Sequence, residues 1–132
     1  MKRILTLVAV FVFAFSLVSA STSQAVDYEA FSKNLVKALK SENQGLQVSA
    51  MQQVIKYNDK VNVDDAIIEL VRVYRRHSDE RFRRLALATI SATQNEWALG
   101  IVKRDFQFEK NLKVKKMMAA VIGESRLSTT AQ

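Results

Sequence analysis

The sequence predicts an all-α fold: a short α-solenoid with a right-handed superhelix-like course, built from about three antiparallel helical hairpins, six helices in all. Three observations carry this. Proline is absent and glycine occurs only at 45, 100 and 123, so strong breakers are few. Apolar residues recur at helical spacing in six separate segments. One pattern also appears three times: a short polar residue (Asn43, Asp79, Asn111), then an apolar or small residue three, seven and eleven positions later. Those residues are Leu46, Ala50 and Val54; Phe82, Ala86 and Ile90; Val114, Met118 and Ile122. The copies lie 36 residues apart (43 to 79) and 32 apart (79 to 111). Such periods belong to stacked helical hairpins, whose equivalent faces must be equivalently apolar.

Each element follows from its spacing. Tyr28, Phe31, Leu35, Val36 and Leu39 share one face of a first helix over 27–40. Leu46, Ala50, Val54 and Tyr57 mark the second. Val63, Ile67, Leu70, Val71 and Tyr74 mark the third, which runs to about His77. The fourth starts after Ser78-Asp79 and turns Phe82, Leu85, Ala86 and Ile90 inward. Thr93-Gln94-Asn95-Glu96 has the form of a capping box and opens the fifth, with Trp97, Ile101, Val102 and Phe106 inward. Val114, Met117, Met118, Val121 and Ile122 form the sixth, with Gly123 as its stop and residues 126–132 as a flexible tail.

The first twenty residues read as a cleavable export signal. Lys2 and Arg3 precede the apolar run Ile4 to Val18, and Val18-Ser19-Ala20 has small residues at the spacing a signal peptidase reads. Ser23-Gln24-Ala25 offers an alternative cleavage site, after Ala25. The run is fifteen residues, short of the roughly 20 that span a bilayer. No cysteine follows it, so a lipid anchor is excluded. Residues 21–26 form a short linker and 27–125 the repeat domain. The expected location is the periplasm or the exterior.

Removing 20 of 132 residues leaves 112, enough for one modest core. The formal charge of +7 loses Lys2 and Arg3, leaving +5. The chain has no cysteine, so the core must hold by apolar packing, and thiol catalysis, thiolate zinc sites and disulfides drop out.

Asp79-Glu80-Arg81-Phe82-Arg83-Arg84-Leu85-Ala86 and Asn111-Leu112-Lys113-Val114-Lys115-Lys116 resemble second helices of HEAT-type repeats. In that family an Asp or Asn cap is followed by an apolar, a basic and a small residue. Arg83 and Lys115 match the basic position, whereas Gln47 departs from it, and the prolines frequent in such first helices are missing. The resemblance spans roughly 28–124. It implies a fold and an interaction role, as in small exported bacterial proteins of similar layout, and no activity.

No residue set presents catalysis. His77 is the only histidine and stands at the end of the third helix, where carbonyls and the helix dipole suit it; no nucleophile or orienting partner accompanies it. Asp64 and Asp65, like Asp79 and Glu80, fall in first turns where negative charge suits a helix N-terminus. The stretch 58–64 lacks the glycine of a calcium loop and carries Lys60. No glycine-rich phosphate loop or nucleophile elbow occurs, so neither cofactor nor metal is expected.

The remaining signal is basic. Arg72, Arg75, Arg76, Arg81, Arg83 and Arg84 crowd into thirteen positions (72 to 84). Aligned second helices would place Arg83 beside Lys115 and Arg84 beside Lys116, with Lys110 and Lys113 near the edge. Guanidinium forks suit carboxylates and phosphates. The candidate surface is therefore Arg72, Arg75, Arg76, Arg83, Arg84, Lys115 and Lys116. The plain alternative is a solvated face with local pairs, Glu69 to Arg72 and Arg76, and Asp79 and Glu80 to Arg83 and Arg84, each worth roughly 0.2–0.5 kcal/mol.

The sequence thus points to an exported, non-enzymatic protein–protein interaction module with a basic ridge for an acidic partner. The alternative is electrostatic binding to an anionic membrane surface or polyanionic polymer. Nucleic acid is disfavoured, because the aromatics fall on predicted core faces and export separates the chain from it. Met117-Met118 reads as core filling. Three repeats leave two end faces, so the oligomeric state stays open.

Overall fold

The computed structural model describes residues 25–131, and the export signal at 1–20 lies outside that span, as does most of the linker. Within it the fold is all-helical. The helices are α1 (Tyr28–Lys40), α2 (Gln44–Lys56), α3 (Ile67–Arg76), α4 (Glu80–Thr93), α5 (Glu96–Asp105) and α6 (Leu112–Thr130). Short 3-10 turns at Asp64–Ala66 and Phe106–Phe108 lead into α3 and out of α5.

Side-chain caps explain where the helices begin. Asp27, Asn43, Asp79, Asn95 and Asn111 all sit in extended backbone and accept from the next turn's amides. The cap before α5 is therefore Asn95, whose Oδ1 accepts from Ala98 N at 3.1 Å, and no capping box forms at Thr93. Thr93 ends α4 instead and donates to the Ile90 carbonyl. Gln94 then breaks the helix at φ 52°, a left-handed conformation that a non-glycine residue adopts only under constraint. Its side chain, donating to the Ser91 carbonyl at 2.5 Å, supplies one.

The core centres on α4, which packs against α2, α3, α5 and α6; α1 covers α2, and α5 covers α6. Ala86, Leu87 and Ile90 of α4 are fully buried, with Met51 and Val54 of α2, Tyr74 of α3, Val102 of α5 and Met118 of α6 around them. The threefold pattern holds at its middle position: Ala50, Ala86 and Met118 are all buried. It fails at the first, where Leu46 is 48% exposed while Val114 is fully buried.

Two further expectations change. Trp97 is 53% exposed. The buried stripe of α5 runs through Ala98 and Val102, and Trp97 lies one residue off it, rotated by about 100° at 3.6 residues per turn. Helix α6 does not stop at Gly123 but continues to Thr130. Ser125, Thr129 and Thr130 each donate to a carbonyl three or four residues back, Ser125 is buried, and the one hydroxyl proton of Ser128 is shared between the Ser125 carbonyl at 2.9 Å and Gln94 Oε1 at 3.2 Å. Most of these bonds lie within α6; the one to Gln94 ties the segment to the end of α4.

Polar contacts between elements recur at a nearly constant separation. Asn62 with Ser32, Tyr74 and Arg75 with Asp105, Asn95 with Asp64, Asn111 and Lys113 with Glu80, Ser91 with Glu124 and Ser128 with Gln94 span 30–34 residues. Those separations bracket the 32 residues between the second and third copies of the pattern but fall short of the 36 between the first two, and Arg83 with Glu109 spans 26.

Candidate functional site

The seven basic residues divide into those consumed inside the fold and those presented to solvent. Tyr74, on the buried face of α3, donates its hydroxyl to Asp105 Oδ2 at 2.5 Å. Arg75 reaches the same carboxylate through Nε at 2.7 Å and Nη2 at 3.2 Å. One turn into α4, Arg83 donates to the Tyr74 carbonyl at 2.6 Å and forks onto both oxygens of Glu109. With side chains 16% and 12% exposed, Arg83 and Glu109 are an internal pair. The expected neighbourhood of Arg83 and Lys115 on an open ridge is thus replaced on Arg83's side by this inward bond. Fork geometry drives that choice: a planar guanidinium satisfies a carboxylate and a helix-end carbonyl together.

The local electrostatics follow. Burial pushes the Asp105 and Glu109 carboxyls up, but hydrogen bonds from Tyr74 and Arg75, and from Arg83 and the Asn111 amide, hold both below the usual carboxylate range. Burial, then the bond to Asp105, pushes the Tyr74 phenol well above its ordinary value. The Arg81 side chain and amide hold Asp79 down at about 2, while Lys113 and Asn111 lower Glu80. The i,i+4 pairing of Asp79 and Glu80 with Arg83 and Arg84 does not form; the carboxylates take Arg81 and Lys113 instead.

Arg72 is exposed and bonded to Glu69, as its spacing suggests. Lys115 is half-buried, its ammonium 5.1 Å from the Phe106 ring centre. Arg76, Arg84 and Lys116 are exposed and make no ion pair among the described residues. Arg76 and Arg72 line a groove of about 380 Å³ with Lys40, Gln47, Glu69 and His77. His77 closes α3 through its backbone amide, which donates to the Val73 carbonyl at 3.0 Å, while its ring serves the next turn. Its Nδ1 accepts from the Asp79 amide at 3.0 Å, and its ring stacks on Phe82 with centres 4.2 Å apart. That contact and the stacking on Phe82 give His77 the task of shaping the α3–α4 turn.

Sequence reasoning missed Asp105 and Glu109. The usable signal was an acidic residue roughly one period after a basic or phenolic one, since Asp105 follows Tyr74 by 31 positions. Among the described residues no cluster of three His, Asp or Glu side chains could hold a metal, and no helix is long and apolar enough to cross a membrane. No family model, curated protein or solved structure matches the chain.

Proposed function

We propose that the chain is an exported, non-enzymatic interaction module, a short HEAT-like solenoid of three hairpins that binds an acidic protein partner. The contacts at 30–34-residue separation and the row α2–α4–α6 support the repeat reading. One observation carries the partner class. Between positions 69 and 116, the carboxylates Glu69, Asp79, Glu80, Asp105 and Glu109 all hold internal partners, leaving Glu96 alone. The charges of that stretch without an ion pair are otherwise positive: Arg76, Arg84, Lys103, Lys110, Lys115 and Lys116. Those side chains are available to carboxylates of another molecule, and Arg76 offers the planar fork beside a groove.

Electrostatic association with an anionic membrane or polymer is the rival that uses the same cations. It predicts steep weakening with salt and little selectivity, because only screened charge is involved. Flotation with vesicles containing anionic lipid, at low and at physiological salt, separates the two. The protein reading expects little vesicle binding at physiological salt together with retained capture of a discrete envelope protein. Strong, salt-sensitive flotation with no discrete partner would replace it.

A further inference from the structure

Residues at equivalent places around the three caps make equivalent bonds. Two positions before Asn43, Asp79 and Asn111 stand Ser41, His77 and Glu109; four positions after them stand Gln47, Arg83 and Lys115. His77 Nδ1 accepts from the Asp79 amide at 3.0 Å, as Glu109 Oε1 accepts from the Asn111 amide at 2.8 Å. Gln47 Nε2 donates to the Leu39 and Ser41 carbonyls at the end of α1, at 3.2 and 2.7 Å. Arg83 Nε does the same for the Tyr74 carbonyl in the last turn of α3.

One bond has no counterpart. Arg83 reaches forward from the second hairpin to the Glu109 carboxylate of the third. Its equivalent, Gln47, spends both Nε2 hydrogens on the α1 carbonyls, and no hydrogen bond joins it to His77. Between those two residues lies the groove of about 380 Å³. Lys40 and Arg76, each three positions before its cap, reach it from the ends of α1 and α3. Both are exposed, and neither makes an ion pair among the described residues. Arg72 is held by Glu69, and the exposed Glu42 makes no ion pair, which leaves the groove one positive charge in excess.

We infer, resting on the acidic partner already proposed, that this groove takes a glutamate side chain from a peptide segment of that partner. The fold names the occupant, because one repeat later it fills the corresponding place with the carboxylate of Glu109. The Arg76 guanidinium offers a planar fork for two carboxylate oxygens, and Lys40 adds a point charge from the opposite wall. Gln47 already satisfies the Leu39 and Ser41 carbonyls, so these acceptors do not compete for either cation. The groove's volume lies near the lower end of the roughly 300–1,000 Å³ of ligand pockets, which suits one or two side chains.

Fluorescence anisotropy of the whole protein with a labelled, C-terminally amidated glycine–glutamate hexapeptide tests this at physiological salt. The peptide should bind at least tenfold tighter than its glutamine counterpart, whether that is amidated or carries a free C-terminus. Lys40→Gln/Arg76→Gln should weaken it at least tenfold, and Lys56→Gln/Lys60→Gln, with the same loss of charge, less than twofold. Gln47→Arg/His77→Glu rebuilds the Arg83–Glu109 pair one repeat earlier, with net charge unchanged while His77 is neutral. It should abolish binding and unfold at higher urea than either single variant. Binding that survives this closure, equal loss in both lysine-containing pairs, or tightest binding of the free-terminus glutamine peptide would overturn the groove assignment. Loss confined to Arg84→Gln/Lys116→Gln would also overturn it, while leaving the acidic-partner reading in place.

Discussion

Arg83 and Glu109 sit 26 residues apart in the chain and close the fold as a shielded ion pair, with the same guanidinium holding the carbonyl of Tyr74. One side chain thereby links the end of α3, the start of α4 and the turn before α6. Removing one member of such a pair strands the other with its desolvation cost. Arg83→Met should destabilise the fold by about 2–4 kcal/mol, and Glu109→Gln by less, because a neutral amide still accepts from the guanidinium. Urea unfolding followed by helical signal reads both.

The same pair sets an acid limit. Glu109 and Asp105 have folded pKa values below their ordinary ones, so their contribution is complete above the unfolded values of 4.5 and 3.8 and is lost as pH falls through the folded values. Thermal midpoints should therefore drop below about pH 4.5 in the native chain. Glu109→Gln should start lower at neutral pH and lose less on acidification.

Tyr74 supplies the alkaline counterpart. A raised phenol pKa favours the folded state below the unfolded value of 10.0, and that contribution is lost as pH rises through the folded value. Phenolate absorbance should show one of the three tyrosines titrating only on unfolding. Tyr74→Phe should abolish that delayed phase and cost roughly 1.5–3 kcal/mol, the worth of a hydrogen bond to a charged acceptor.

Leu87 tests the hub role of α4. It is fully buried between α4 and its neighbours, so Leu87→Ala should cost about 2–5 kcal/mol through lost burial and a residual cavity. Trp97 is the contrast: as the single tryptophan and an exposed one, it should emit at long wavelength, quench readily with iodide, and change stability by under about 0.5 kcal/mol when replaced by Phe.

All six helices were legible in the sequence, because apolar period and Asx caps act locally and agree with one another. Errors arose where a neighbour decides. Trp97 is large and apolar, yet the tight approach at α5 is made through Ala98 and Val102, and bulk was mistaken for burial. The end of α6 is polar, yet Ser125 is buried and Ser128 bonds Gln94, a contact 34 residues away. Of the basic cluster, the sequence shows the crowding of arginines, but only the positions of Asp105 and Glu109 reveal that Arg75 and Arg83 hold carboxylates of the same chain. Arg76, Arg84 and Lys116 are what remains.

The most direct measurement of the central claim is capture of envelope proteins, quantified by mass spectrometry, with two charge-matched triple variants. Arg76→Glu/Arg84→Glu/Lys116→Glu reverses the three exposed cations of the proposed surface that make no ion pair; Lys37→Glu/Lys56→Glu/Lys60→Glu changes net charge equally on α1, the end of α2 and the turn after it. At physiological salt the first should lose a discrete partner by at least tenfold while the second retains it. Equal loss in both, or retention in both, would contradict the assigned surface.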